Sequence, residues 1–403
     1  MLTLKQAGGT LLLILGLVAC LRIYPHFQYL SGEGRLGLGW DLKVVCHALD
    51  AAAAGQDPYL AHIFPSEYWS LPYPLLHAYL FQPLCPVGGD PLTYGIIYGL
   101  IGLISWVILW PALPSRTWDR IAALVAIFFG FHAFDWELRT GNLAVLELPL
   151  ACLTVRLLAK RNYELAGGVF GAMASLKILP LVGATTFLLL PETLKTRLRS
   201  AASAAAGFLA IELLNAVLFS RWLPSYLAEL ARRSPGGPLY EGGGPFNQNT
   251  IDFVAGAFRS LDIGYTLSGF ALACLGLGAG YLTALACARK RSGRRELPPV
   301  AAASLVVLVL WLFLFRQKSY AFEAFIPFML AASYGIGRWT ALGAILASVV
   351  VPAAFVSHVV ANAFLAQYYQ LLAAWAALLV IFLGVFLTSR TDPVGSPLAT
   401  EPG

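Results

Sequence analysis

Long apolar segments recur along almost the whole chain, from residue 10 to residue 388, and they limit what this chain can fold into. An α-helix needs about 20 mostly apolar residues to cross the hydrocarbon core of a bilayer. Backbone hydrogen bonds within lipid must be satisfied internally, by helices or by closed barrels. The segments are continuous rather than alternating in short strands, which excludes a β-barrel. The sequence therefore predicts an all-α, polytopic membrane protein.

The segment lengths predict about ten full spans and one broken pair of short helices. We place the full spans at 8–29, 92–111, 120–136, 142–159, 200–219, 265–288, 298–315, 321–337, 339–360 and 371–388, and the broken pair at 164–176 with 178–190. We expect residues 1–390 to form one domain, followed by a disordered cytoplasmic tail, 391–403. The first outer loop, 31–91, should contain short interfacial helices, and a second outer loop should cover 220–264.

Basic residues in the short loops indicate the orientation of the spans, because loops rich in Lys and Arg face the cytoplasm. They form three clusters: Lys160 with Arg161, then Lys195 with Arg197 and Arg199, then the run 289–295. The net charge of +6 therefore comes from membrane topology rather than from a nucleic-acid-binding surface. The compact loops favour a bacterial inner membrane, with the outer loops facing the periplasm or the cell exterior.

The apolar stretch 164–190 tests this orientation. If it crossed once, Lys195 and its neighbours would lie outside, against the positive-inside rule. As one helix it would extend about 40 Å, too short for two full spans. We therefore predict two short helices that meet within the membrane and break around Lys177, because Pro180 disfavours a continuous helix there.

Asp41 is the main candidate for a catalytic base. Residues 42–54 have the apolar periodicity of a short helix, and Asp41 directly precedes them. The spacing alone favours a role as the N-cap of that helix. The functional alternative is a carboxylate at the membrane surface that accepts a proton from a substrate hydroxyl. Asp50, Asp57 and Glu67 are further carboxylates of the same loop.

Four cations are candidates for binding an anionic group such as phosphate. Lys177 lies within an apolar stretch, where a cation is costly unless it is paired or faces a water-filled cavity. Arg139, Arg316 and Lys318 fall at predicted outer ends of spans and suit the same anion. The alternative is snorkelling for Lys177 and an ordinary interfacial position for the others.

Polar residues of the outer loops are candidates for substrate binding, and each has an ordinary structural alternative as a turn residue, interfacial aromatic or helix cap. They are Asp57, Tyr59, Tyr73, Asn142, Asn247, Gln248 and Asn249. The last three end a Gly/Pro-rich segment of the kind that closes over sites. No Cys or His spacing is typical of a metal site, so we expect no metal and no cofactor. Cys46 and Cys85 share the first outer loop and could pair in an oxidising compartment.

The order and spacing of these features resemble glycosyltransferase family 87, the polyprenyl-phosphate-mannose-dependent mannosyltransferases of the GT-C class. The resemblance covers roughly residues 40–330 and rests on six pieces: Trp40-Asp41, Gly55-Gln56-Asp57-Pro58-Tyr59, Tyr73-Pro74, Arg139-Thr140-Gly141-Asn142, Ser175-Leu176-Lys177-Ile178-Leu179-Pro180 and Asn247-Gln248-Asn249. The chain departs from the family pattern at Thr140-Gly141, at Asn249 and at residues 316–320, so another sugar could replace mannose.

The resemblance implies a GT-C-like helical bundle with its active site on the non-cytoplasmic face. The donor would be a sugar, mannose by analogy, on a polyprenyl phosphate, and the acceptor a hydroxyl of an envelope glycan or glycolipid. Asp41 matches the general base of such enzymes by position, which reverses the preference for a capping role. Lys177 would neutralise the leaving phosphate, with Arg139 and Arg316 as secondary candidates. Transfer would invert the anomeric carbon without a metal.

Two other functions use the same sequence features. A transporter or flippase for a polyprenyl-linked glycan or other anionic lipid would also require a buried Lys177 and a broken hairpin. The long structured outer loop and the clustering of polar residues on one side favour the enzyme over the transporter. A structural scaffold in the cell envelope would not require Lys177 within the membrane.

Overall fold

The computed structural model describes residues 39–61, 70–86, 91–176, 186–188, 190, 192–233, 250, 253, 297–312, 322–356 and 368–388. Its helices in chain order are α1 (Trp40–Ala53), α2 (Leu75–Phe81), α3 (Pro91–Leu109), α4 (Thr117–Phe129), α5 (Ala133–Thr140), α6 (Glu147–Ala159), α7 (Tyr163–Leu176), α8 (Leu194–Leu218), α9 (Leu223–Arg233), α10 (Pro299–Leu312), α11 (Phe322–Ile336), α12 (Arg338–Val356) and α13 (Tyr369–Thr388). No strand occurs in these ranges, which confirms the all-α prediction.

The helices have the length and composition of a membrane protein. Three stretches are long and apolar enough to cross a bilayer, Gly95–Ala112, Thr117–Leu138 and Leu194–Leu218. Shorter apolar helices include Pro299–Leu312, Phe322–Ile336, Arg338–Pro352 and Tyr369–Val385. The predicted spans 8–29 and 265–288 and the tail 391–403 lie outside the described residues, as does most of 178–190.

Helices α7 and α8 pack in parallel, with their starts at the same end of the molecule. The Cα of Gly167 lies against Ser200 and that of Gly171 against Ala204, so residue numbers rise together along the two helices. At their starts, Tyr163 donates a hydrogen bond to Glu192 at 2.7 Å. Helices α7 and α8 therefore begin on the same side, as the charge pattern predicted for Lys160-Arg161 and for Lys195 with its neighbours.

The predicted single span 120–136 is interrupted. Phe131 and His132 have φ of 52° and 57°, in the left-handed region that non-glycine residues seldom adopt, so α4 ends before them and α5 begins at Ala133. Phe131 is fully buried and packs against Phe322 and Phe325 of α11. Tertiary packing therefore fixes a bend that hydropathy does not reveal.

A polar contact joins the start of α4 to the end of α11 and the start of α12, next to two predicted loops, 112–120 and 338, that the alternation of the predicted spans assigns to the cytoplasm. The Nε of Arg338 donates to the buried carboxylate of Asp119 at 2.9 Å, and the hydroxyl of Tyr334 donates to the Asp119 carbonyl at the same distance. Trp118 and Trp339 are exposed beside this contact, where interfacial tryptophans are common. Residues 112–120 and 338 therefore lie at one end of the bundle, as predicted.

Candidate active site

Asp41 lies in the first turn of α1 and does not cap it, which corrects the N-cap expectation. The helix begins at Trp40, and its N-cap is Gly39. The φ of Gly39 is 69°, a left-handed conformation that glycine adopts without strain, and no side chain caps the helix. Trp40 packs edge-on against Trp136 of α5, with ring centroids 6.2 Å apart, and this contact holds the start of α1. The carboxylate of Asp41 is therefore available for a contact outside its own helix.

Asn142 connects Asp41 to the rest of the bundle. Its Oδ1 accepts hydrogen bonds from the Ala144 amide at 2.9 Å and from the Tyr73 hydroxyl at 2.7 Å. Both partners are donors, so the other amide atom, Nδ2, donates to Oδ2 of Asp41 at 2.7 Å. The predicted N-cap role of Asn142 is thus confirmed, and the same side chain also orients a carboxylate 101 positions away.

The segment of residues 70–77, here called the 70–77 segment, places Tyr73 beside Asn142. At its start, Ser70 donates to Glu229 of α9 at 2.5 Å and accepts from Nη2 of Arg233 at 2.9 Å. Glu229 and Arg233 also form an ion pair, and all three side chains are buried. A buried ion pair with this many hydrogen bonds fixes the segment, because removing one partner leaves an uncompensated charge.

The other end of the segment contacts α7 and α8. The amide of Leu76 donates to Asn215 at 3.0 Å, and His77 lies 3.3 Å from the hydroxyl of Ser175. That hydroxyl donates to the Ala172 carbonyl, so Nε2 of His77 is the donor to Ser175. Burial lowers the pKa of His77 to about 4, so its imidazole is neutral at pH 7. Ser175 precedes Lys177 by two residues in the sequence, which brings the 70–77 segment near that end of α7.

Asp57 and Tyr59 attach the connection after α1 to α9. Asp57 accepts from the Tyr59 amide at 2.9 Å and from the Ser225 hydroxyl, as in a side-chain-stabilised turn. Tyr59 packs on Tyr226 with centroids 5.5 Å apart, and burial keeps the pKa of both phenols well above its usual range. These contacts give both predicted binding residues a structural role, and their contact with substrate stays a prediction.

Of the remaining candidate residues, the structure describes only the backbone of Arg139. The backbone of Arg139 lies in α5, one turn before Asn142, and its side chain is outside the described residues. Lys177, Arg316 and Lys318 also lie outside them, as do Asn247, Gln248 and Asn249. Within the described ranges, no group of three or more His, Cys, Asp or Glu side chains is arranged to hold a metal ion.

A disulfide joins Cys46 of α1 to Cys85, just beyond α2. The sequence left this pairing open. The bond ties the helix that carries Asp41 to the helix that follows Tyr73, so it supports both sides of the Asp41–Asn142–Tyr73 contact. Such bonds persist in oxidising compartments and are rare in the cytosol.

Sequence reasoning missed several of these contacts. Ser70, Glu229, Arg233 and Asn215 were not singled out, because each meets its partner more than 130 positions away. One local pattern was available: Tyr226, Glu229 and Arg233 share a face of α9, whereas Leu227 and Ala228 are exposed on another. A short outer helix with a polar buried face indicates a polar site beneath it.

The family model of glycosyltransferase family 87 matches residues 71–315, more than half of the chain. A search among curated proteins finds no significant match. Tyr73 and Asn142 lie within the matched residues, and Asp41 precedes them. Together with the apolar helices, the match shows that this integral membrane protein belongs to glycosyltransferase family 87.

Proposed function

We propose that this glycosyltransferase moves a sugar, mannose in the first instance, from a polyprenyl-phosphate donor to a hydroxyl of an envelope glycan or glycolipid. Asp41 is the general base. The observation that carries the proposal is the hydrogen bond of 2.7 Å from Asn142 to Asp41. It holds one carboxylate oxygen of a partly exposed side chain at the membrane surface, where an acceptor hydroxyl can approach.

The reaction needs one proton acceptor and one leaving group. Asp41 removes the proton of the acceptor hydroxyl as that oxygen attacks the anomeric carbon. The bond between the anomeric carbon and the phosphate oxygen breaks, and the polyprenyl phosphate leaves with the electron pair. Attack opposite the leaving group inverts the anomeric configuration. Lys177, with Arg139, Arg316 and Lys318, is proposed to stabilise the charge on the departing phosphate.

The orientation of the site follows from two independent arguments. The positive-inside rule assigns Lys160, Arg161 and the start of α8 to the cytoplasm, which leaves α1 and α2 outside. The Cys46–Cys85 disulfide favours the same side, because the cytosol keeps thiols reduced. We therefore propose that the site faces the periplasm or the cell exterior, with bacterial inner membrane as the location.

The test is sugar transfer by the full chain in lipid nanodiscs. Synthetic polyprenyl-phosphate-mannose is supplied with a panel of acceptors, and wild type is compared with Asp41→Asn by mass detection of product. We expect turnover by wild type and a loss of at least about 100-fold in Asp41→Asn, the size of a general-base contribution. Asp50→Asn is the matched control, because Asp50 is an exposed carboxylate on the same helix.

Each outcome of this experiment has a distinct meaning. Turnover that survives in Asp41→Asn moves the base to another carboxylate of the first outer loop, such as Asp57 or Glu67. Turnover with a different lipid-linked sugar but not with mannose keeps the mechanism and changes the donor. Absence of transfer from every polyprenyl-phosphate donor contradicts the proposed donor class.

A further inference from the structure

Glu212 is an ionisable residue on the part of α8 that faces lipid. Between Arg199 and Arg221 it is the only ionisable residue, and the exposed apolar side chains of Leu209, Leu213 and Val217 surround it. It precedes the end of α8 at Leu218 by six residues, about 9 Å along the helix. A carboxyl group at this depth is costly and marks a functional site by default.

Within the part of the chain that the structure describes, this carboxyl group has no partner. The Oε1 atom of Glu212 is covered and has no hydrogen bond, and no ion pair reaches the residue within the described ranges. Its side chain is nevertheless partly exposed, so a group outside the protein can approach it. A polar atom buried without a hydrogen bond destabilises the fold, and such an atom in a native structure calls for a partner.

Glu212 lies near the residues that support the candidate active site. Its charge acts on the phenols of Tyr59 and Tyr226, so it lies close to both. One turn further along α8, Asn215 accepts from Leu76 of the 70–77 segment, whose Tyr73 contacts Asn142. Helix α9 exposes Leu227 and buries Glu229. This pattern is expected for a helix that lies in the membrane interface with its apolar face toward lipid.

We propose that Glu212 forms a headgroup-recognition site at the lipid boundary, which binds a sugar hydroxyl of a glycolipid acceptor arriving from the outer leaflet. This inference rests on the proposed function, which requires an acceptor hydroxyl. A sugar hydroxyl can donate to a carboxylate and accept from a carboxylic acid, so it suits this group in either protonation state. A headgroup held at this depth must carry a lipid anchor.

Glu212 is a positioning residue in this account, since it binds the acceptor near its lipid anchor and does not touch the reacting atoms. Its removal should therefore weaken acceptor binding only when the acceptor is anchored. The acceptors to compare are dioleoylglycerol mannobioside and the water-soluble methyl mannobioside, with polyprenyl-phosphate-mannose as donor in nanodiscs. The variants are Glu212→Leu, Glu212→Gln, which keeps hydrogen bonding, and Leu198→Ala, an exposed control position on the same helix.

We expect Glu212→Leu to raise KM for the lipid acceptor about tenfold, the cost of losing one hydrogen bond in a partly buried site. KM for the donor and for methyl mannobioside should not change, and Glu212→Gln and Leu198→Ala should stay close to wild type. Equal changes for both acceptors, or no change for the lipid acceptor, overturn the inference. A purely structural role would lower thermal stability and affect both acceptors alike.

A second measurement keeps the inference separate from the proposed function. A diazirine-bearing dioleoylglycerol mannobioside is photocrosslinked to the full chain without donor, and the label on residues 209–219 is quantified. Loss of the label in Glu212→Leu supports the site even if wild type shows no transfer, a result that would contradict the proposed function alone. Equal labelling of both proteins, or full competition by phosphatidylethanolamine, identifies an annular lipid only and overturns the inference.

Discussion

At the scale of single residues, the candidate base depends on an amide whose orientation is fixed by other groups. The backbone N–H of Ala144 and the hydroxyl of Tyr73 both donate to Oδ1 of Asn142. Nδ2 must therefore point toward Asp41, and rotation of the amide would place two acceptors together. Asn142, predicted as a binding residue, thus orients Asp41, the proposed general base.

This arrangement predicts a change in pH dependence for Asn142→Asp. The aspartate can still cap at this position and accept from Tyr73, so the fold should persist. It also places a second carboxylate against Asp41, and like charges raise the apparent pKa of such a pair. We expect the acidic limb of the kcat/KM profile to move to higher pH by roughly one unit or more. Activity should fall at neutral pH and recover in alkali.

The control is Asn142→Leu, which removes the amide without adding charge. It should lower kcat/KM at every pH and move the limb to higher pH by less than Asn142→Asp does, because Asp41 loses one hydrogen bond but gains no neighbouring charge. A profile of Asn142→Asp that superimposes on the wild-type profile would contradict the proposal that the residue in contact with Asn142, Asp41, is the general base. Thermal unfolding of both variants shows whether the cap of the turn before α6 is retained.

At the scale of elements, the sequence predicted what hydropathy and charge control. The spans at 92–111, 200–219 and 371–388 correspond to α3, α8 and α13 within a few residues, because an apolar run of this length is stable in lipid only as a helix. Charge in the loops predicted that α7 and α8 begin on the same side. Such patterns are local, so they need no knowledge of the tertiary structure.

The missed features depend on contacts between distant parts of the chain. The bend at Phe131 and His132 follows Gly130, the residue at which α4 ends, but the sequence does not show that Phe131 packs against α11. The ion pair of Glu229 and Arg233 acquires its role only when Ser70 is brought against it from 159 positions away. Apolar periodicity places the start of α1 two residues late, because Gly39, the N-cap, carries no apolar side chain that periodicity could detect.

The parallel contact of α7 with α8 depends on glycine. A Cβ on Gly171 would lie 1.9 Å from the carbonyl oxygen of Ala204, so Gly171→Ala forces the two backbones apart. We expect a loss of about 1–3 kcal/mol in the free energy of unfolding, the usual cost of overpacking. The measurement is thermal or denaturant unfolding of the purified protein in detergent.

The matched control is Gly99→Ala in α3, where an added Cβ would meet no atom within 4 Å. Alanine favours helix over glycine by up to about 1 kcal/mol, so this variant should be neutral or more stable than wild type. Equal loss of stability in the two variants would show that helix propensity or detergent effects, rather than the close approach of α7 to α8, determine the response.

At the scale of the whole molecule, polar contacts collect at the two ends of an apolar bundle. One end holds the contact of Arg338 with Asp119 and that of Tyr163 with Glu192. The other holds Asp41, Asn142, the 70–77 segment and the buried face of α9. The apolar helices lie between these two groups, so we infer that the candidate active site, the proposed Glu212 site and the disulfide lie on the same side of the bilayer.

This separation predicts opposite labelling of two exposed positions in intact cells. Gln56 follows α1 on the side of Asp41, and Arg116 precedes α4 on the side of Asp119. A membrane-impermeant maleimide should label Gln56→Cys without permeabilisation and Arg116→Cys only after it, because the charge pattern assigns residues 112–120 to the cytoplasm. Wild type measures the background from its own cysteines, and the disulfide protects Cys46 and Cys85 from the reagent. Labelling of Arg116→Cys in intact cells, with Gln56→Cys protected, would show that the protein has the opposite orientation in the membrane. The proposal of an outward-facing site would then be wrong.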